Sequence, residues 1–210
     1  MMLRWALLLG IVAIGVCCEA LQSAAAPPLL DVPTYSMATQ NADGSTTNMN
    51  ILTYATPVSI KPERVWTLGL FKGTLSEENF RRTRTCVLQF LTEEHAPIVK
   101  CLGGSSGNDV DKSAICSDLG FPWTECIPAS KDSNGESDDS LQLLPGCSYY
   151  LKLTAVGDFV EAGCHVIAPY CRVDGMYVIE NGNKALPVQV STGRLRELGI
   201  ITAQGRVAED

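Results

Sequence analysis

The stretch "GSTTNMNILTYATPVSIKPE" runs from Gly44 to Glu63 and decides how the chain is read. It carries Ile51, Leu52, Tyr54, Val58 and Ile60 and is bounded by turn residues, which predicts strand. It also carries Ser45, Thr46, Thr47, Asn48, Asn50 and Thr53. The next segment, "VWTLGLF" (65–71), is plainly a buried strand. A strand so rich in short polar side chains has two explanations. It lies half-buried at the surface, or it lines a polar ligand.

The surrounding segments set the fold class. "TYSMATQ" (34–40) alternates and ends at the turn "NADG", which predicts a hairpin into the polar stretch. "TLSEENFRRT" (74–83) reads as a short helix, with Thr74 and Glu77 as a capping box and Glu77/Arg81 and Glu78/Arg82 spaced i,i+4. "TCVLQFL" (85–91) is a strand. "APIVKCLGG" (96–104) and "NDVDKSAICSDLG" (108–120) are helices, stopped at Gly103 and Gly120. "SKDSNGESDDS" (130–140) is an acidic, Ser-rich solvated loop. Three strands follow, in "CSYYLKLTAVGDFV", "GCHVIAPYCRV" and "GMYVIE", and "STGRLRELGI" (191–200) closes with a helix. Strands dominate and do not alternate regularly with helices. The pattern predicts a mainly β fold, an antiparallel barrel with short helical insertions and not a doubly wound sheet; the family resemblance set out below makes it a split barrel of Greek-key type.

Composition narrows the function classes. The chain has 210 residues, which points to one domain, and is 46% hydrophobic, enough for a real core. Its net charge of -7 argues against nucleic acid, because phosphate binding needs a basic surface. The N-terminus reads as a signal peptide over residues 1–20. "MMLR" supplies the positive start, and "WALLLGIVAIGV" an apolar run too short for a comfortable membrane span. Small residues then precede cleavage after Ala20. Residues 21–33 read as a linker, 34–185 as the domain and 186–210 as a C-terminal extension. The expected route is the secretory pathway, ending outside the cell, in an endomembrane, or in a plastid reached through the endoplasmic reticulum. No stable membrane span is expected after processing.

Nine cysteines resemble a disulfide scaffold until they are placed. Cys17 and Cys18 leave with the signal, and an odd set remains: Cys86, Cys101, Cys116, Cys126, Cys147, Cys164 and Cys171. Cys86 and Cys171 lie in apolar settings where a thiol acts as a small hydrophobe. Cys126 and Cys147 flank the polar loop and are spaced to bridge it in an oxidising compartment. No metal site is expected, since Cys164, His165 and Cys171 lack a second close ligand pair.

"FKGTLSEE" (71–78) is the second informative piece. A strand ends at Phe71, Lys72–Gly73–Thr74 turn the chain, and a capped helix begins. Such a turn offers backbone N–H groups and the Lys72 charge to an anion. Glu77 and Glu78 already complement the helix dipole there.

Taken in order, "NMNILTYATPVSIKPERVWTLGLFKGT" resembles the core of the flavin reductase-like family, the FMN-binding split barrel. Asn48, Asn50, Leu52 and Thr53 fall on the family's polar strand. Pro57, Val58, Ser59 and Pro62 fall on the segment after it, and Lys72 and Thr74 on its Lys/Thr turn. "SGNDVDKSAI" matches its S-G-x-x-x-D-K helix start through Ser106, Gly107, Asp111 and Lys112. "VEAGCHVIAPYCRV" resembles its late strand, which usually reads G-D-H. The resemblance covers roughly residues 34 to 180. Three departures stand out: Cys164 replaces the acid before the histidine, Tyr54 ends the polar strand, and the 130–140 insertion is long.

The resemblance implies an NAD(P)H-dependent flavin reductase-like oxidoreductase. FMN would be the cofactor and NADH or NADPH the electron donor. Asn48, Asn50, Ile51, Leu52, Thr53, Lys72, Gly73 and Thr74 would meet the cofactor, and His165 the flavin or nicotinamide as the catalytic residue. The partners would be flavin and nicotinamide small molecules and a second copy in a homodimer. No GxGxxG is present, and no Ser/His/Asp set or paired carboxylates point to a hydrolase. His95, in "TEEHAP", reads as a surface residue, and Arg81, Arg82 and Arg84 as a solvated helix face. Two rivals share parts of this reading. One is a non-catalytic flavin-binding or electron-carrying protein of the same fold. The other is a secreted, disulfide-stapled binding module.

Overall fold

The structure is a computed structural model and describes residues 23–25, 28–124, 126–127, 141–179 and 186–208. The signal peptide proposed at 1–20 and the polar loop at 130–140 lie outside the described residues. Eight strands form one curled antiparallel sheet: β1 (Tyr35–Gln40), β2 (Thr47–Leu52), β3 (Ala55–Ser59), β4 (Val65–Phe71), β5 (Thr85–Phe90), β6 (Tyr150–Ala155), β7 (Val160–Ala162) and β8 (His165–Tyr177). Their order is β2-β1-β5-β6-β8-β4-β3, with β7 paired to β8. The helices are α1 (Leu75–Thr83), α2 (Ala96–Gly104), α3 (Lys112–Asp118) and α4 (Thr192–Glu197).

The opening stretch is two strands, not one. β2 pairs with β1 at one end of the sheet, and β3 pairs with β4 at the other. The chain breaks at Thr53–Tyr54, between the two. A single polar run therefore joins the two edges of the split barrel, which is why no single face of it is uniformly buried. The last two predicted strands merge instead. β8 runs unbroken for 13 residues, and its inward Val166, Ala168, Cys171 and Val173 continue one apolar face. A register shift opposite Trp66–Leu68 keeps that face inward along the strand.

Two apolar clusters flank the sheet. Inside the curl, Tyr35, Met37, Leu52, Leu68, Leu70, Leu88 and Leu153 pack with Phe80 of α1. On the other face, Met49, Val87 and Leu91 pack with Ile98, Val99 and Leu102 of α2 and Cys116 of α3. β2 feeds both, sending Leu52 one way and Met49 the other, as period-two alternation requires. The C-terminal stretch is bound to the domain: Thr34 N–H donates to Val190 O, Thr192 N–H donates to Val32 O, and Leu195 and Ile201 join the second cluster. Among the described residues no helix is long and apolar enough to cross a membrane.

His95 is not on the surface. It is 1% exposed, with Nδ1 accepting from Thr92 N–H at 3.1 Å and Nε2 2.9 Å from Pro145 O. These partners require the Nε2–H tautomer. Both ring nitrogens are satisfied inside the protein, so burial costs little, and desolvation holds the imidazole below its usual range. The acidic pair Glu93 and Glu94 gave "TEEHAP" its exposed look, and both are indeed exposed. The seven described cysteines form no disulfide with one another. Cys86 and Cys171 are buried, while Cys147 is buried 3.7 Å from His95 Nε2 and does not bridge Cys126.

Candidate functional site

The corner where β4 runs into α1 is built from the turn outward. Gly73 has φ +72, a left-handed conformation that glycine adopts without steric cost. Thr74 caps α1, its hydroxyl accepting from Glu77 N–H at 3.3 Å and donating to Phe71 O at 3.0 Å. The Glu77 carboxylate reaches past the cap to accept from Gly73 N–H at 3.2 Å, and it pairs with Arg81 one turn on. A second carboxylate, Glu161 of β7, pairs with Lys72 and, at 2.5 Å, with Arg81. Hydrogen bonds from Lys72 and Arg81 hold Glu161 below the usual carboxylate range. Two cations and a turn amide thus hold two carboxylates of the protein itself.

His165 stands beside this turn because β8 begins opposite the end of β4. Phe71 and His165 are register partners, and Lys72 N–H donates to Cys164 O at 3.1 Å. The imidazole sits between two aromatic rings met edge to face, Tyr54 at 4.9 Å and 76° and Phe71 at 5.5 Å and 87°. Tyr54 reaches it from the break between β2 and β3 because Gly69 leaves room. Gly69 N–H donates to Tyr54 O at 2.8 Å, and a methyl group at Gly69 would lie 3.1 Å from Tyr54 Cβ and 3.2 Å from Ile167 Cδ1. Tyr54 is 63% exposed and Phe71 46%, so both rings present apolar surface outward.

The residues anticipated from sequence divide into two groups. Lys72, Gly73, Thr74 and His165 meet at this corner, with Thr53 adjoining Tyr54. The β2 residues put their side chains elsewhere. Asn48 is buried and donates to Ser76 Oγ of α1 at 2.7 Å, and Asn50 Oδ1 accepts from Ile51 N–H at 2.9 Å. Ile51 packs on α2, where a methyl at Gly103 would meet it at 3.2 Å, and Leu52 enters the barrel core. Asn48 also borders a cleft of about 590 Å³ with Leu75, Gly107, Lys112 and Trp123. The buried Lys112 ammonium there donates to Met49 O at 3.1 Å and Leu102 O at 2.7 Å, stapling β2 to α2. Burial pushes it down to about 8.

Four members of the corner were missed as site residues, among them Arg81, read as part of a solvated helix face. Tyr54 was read as a departure from a pattern, Phe71 as the end of a buried strand, and Glu161 not at all. The usable signal for Tyr54 was Gly69, a glycine inside the otherwise apolar "VWTLGLF", which marks a close approach across the sheet. Glu161 carried no sequence signal, since it joins the turn only through the β7–β8 hairpin.

No family model matches the sequence, and no curated protein matches it. Solved structures do match the fold. Flavoredoxin from Methanosarcina acetivorans superposes at TM-score 0.59 and 15% identity, covering 77% of this chain and 76% of that one. The FMN-binding protein from Thermus thermophilus with bound 1-cyclohex-2-enone gives TM-score 0.54 at 15% identity, covering 90% and 86%. The styrene monooxygenase flavin reductase from Pseudomonas putida S12 gives 0.53 at 13% identity, covering 71% and 83%. With its curled antiparallel sheet and short helices, the chain has the split-barrel fold of the flavin reductase-like family.

Proposed function

We propose that the chain is a flavin-binding oxidoreductase that takes FMN, draws electrons from NADH or NADPH, and passes them to an acceptor. The observation that supports this is the corner itself, where an oxyanion-holding turn lies against an exposed pair of rings and an imidazole. Lys72, Arg81 and Gly73 N–H already hold carboxylate oxygens of Glu77 and Glu161, which supports reading them as donors for an anion. A terminal phosphate fits the same donors if the carboxylates give way. Tyr54 and Phe71 offer apolar surface to a planar ring, and His165 a hydrogen-bonding nitrogen beside it. FMN, when bound, supplies hydride acceptance and onward electron transfer. The chain's residues hold the phosphate, flank the ring and position the incoming nicotinamide.

A second reading keeps the flavin without nicotinamide oxidation. It is favoured by Cys164, which puts a thiol 3.2 Å from His165 Nδ1 where the resemblance leads one to expect a carboxylate. The visible spectrum of the purified mature chain separates the two. Flavin absorbance that bleaches with NADH in the absence of oxygen supports the reductase. Absorbance that bleaches only with dithionite supports the carrier, and failure to bind FMN at all overturns both. The disulfide-stapled reading lacks its staples among the described residues.

The homodimer and the secretory signal belong to the same proposal. Val58 and Ile60, on and just past β3, extend the exposed apolar surface from Tyr54, and a second copy would cover it. The mature chain is expected to start near Leu21, which N-terminal sequencing of native protein tests.

A further inference from the structure

Cys164 lies in the β7–β8 hairpin turn, directly after Gly163, whose φ is +58. Its Sγ is 3.2 Å from Nδ1 of His165, and the residue is exposed. Its backbone is fixed, because its carbonyl accepts from Lys72 N–H at 3.1 Å. The imidazole is fixed as well, held edge-on between Tyr54 and Phe71. The negative charge nearest in the hairpin, Glu161, is paired with Lys72 and Arg81. An exposed sulfur therefore faces an oriented base, and the carboxylate of the hairpin strand before it is paired. The Cys164 sulfur itself has no part in the flavin reading, and its contact with His165 stands whether or not that reading is right.

We propose that Cys164 and His165 form a reactive thiol–imidazole pair whose substrates are small disulfides. His165 Nδ1 takes the proton from the Cys164 thiol as the sulfur attacks one sulfur of the incoming disulfide. A bond forms between Cys164 Sγ and that sulfur, and the substrate's own S–S bond breaks. The departing thiolate takes the proton back from His165 and leaves as a thiol. The Cys164 sulfur is oxidised, the departing sulfur is reduced, and no other reactant is consumed. The product is a mixed disulfide on Cys164, next to the exposed face of Tyr54 and Phe71.

The test has an internal control. Cys126 is also exposed, and the other described cysteines are buried or half-buried. The full chain is incubated with oxidised glutathione near neutral pH, and adducts at Cys164 and Cys126 are followed by peptide mass spectrometry. Cys164 should react about tenfold faster than Cys126, a modest return for a positioned base. His165→Asn should bring the two rates together, while Cys164→Ser removes the adduct. Equal rates in the unaltered chain overturn the proposal, and that comparison holds even if His165→Asn fails to fold. A rate ratio that survives in a folded His165→Asn variant also overturns it.

Discussion

The carboxylate of Glu77 accepts a hydrogen bond from the backbone N–H of Gly73 at 3.2 Å, inside the turn before its own helix. The turn that suits a phosphate is thus occupied by an acid four residues along the chain, and a phosphate must displace it. Replacing Glu77 by Gln keeps an acceptor for Gly73 N–H and removes the competing charge. FMN should then bind about three- to tenfold tighter, with riboflavin unchanged, because only the phosphate competes. Lys72→Ala should weaken FMN and again spare riboflavin. Fluorescence titration with both flavins is the measurement. If riboflavin follows FMN in either variant, the turn is not where the phosphate sits.

His95 makes the fold sensitive to acid. Desolvation is the largest cause of its lowered range, against the ordinary histidine value of about 6.5 in an unfolded chain. Below that value the unfolded state binds a proton that the folded state resists. Stability is therefore full above about pH 6.5 and is lost as pH falls toward the depressed folded value. Urea unfolding at about pH 8 and about pH 5 should show the drop, and His95→Gln should flatten it. The substitution should itself cost about 1–3 kcal/mol, since the Thr92 amide and Pro145 carbonyl lose a partner that spans both. An equal pH slope in the variant would assign the acid sensitivity to other groups.

Much of the fold was legible because the strands alternate and the turns are marked. The hairpin at "NADG", the capped helix after Thr74 and the buried strand 65–71 all stand where their residues place them. The site was legible only in part. Lys72, Gly73 and Thr74 are local to one turn, so sequence showed them together. His165 joins them through β4–β8 register, which a resemblance supplied and local pattern could not. The polar side chains of β2 turn away from the Lys72–Thr74 corner for a physical reason. Asn48 looks like a ligand-binding side chain, yet a buried sheet must also satisfy helix hydroxyls, and Ser76 claims it. The single stretch 44–63 could not show its own break, because Thr53 and Tyr54 have strand propensity and the division is imposed by pairing to opposite edges.

The mature chain should be a homodimer in solution. Tyr54, Val58 and Ile60 are each more than half exposed, in a run bordering the corner that holds His165. Light scattering should return twice the mass of the mature chain. Val58→Asp with Ile60→Asp should shift it to one chain and weaken flavin binding together, because the second copy would complete the pocket. A monomer that retains its flavin at full affinity would show that one barrel suffices.

His165 should act on rate more than on binding. The ring is held by Tyr54 and Phe71 rather than by a carboxylate, and its Nδ1 faces a thiol. In the proposed function its role is to orient a nicotinamide or the edge of the flavin, which would matter most when the reacting atoms must align. In His165→Asn, flavin reduction by NADH should slow by about tenfold or somewhat more, about 1–3 kcal/mol, as expected for one hydrogen bond with charged character. FMN affinity should change little, since Lys72, Gly73 and Thr74 remain. Stopped-flow reduction, FMN titration and a thermal melt on the same protein separate the possibilities. Slowed reduction with the melt and the affinity intact gives His165 a positioning role. A lower melting point with unchanged reduction makes it a packing residue between two rings, and the candidate site then rests on the turn alone.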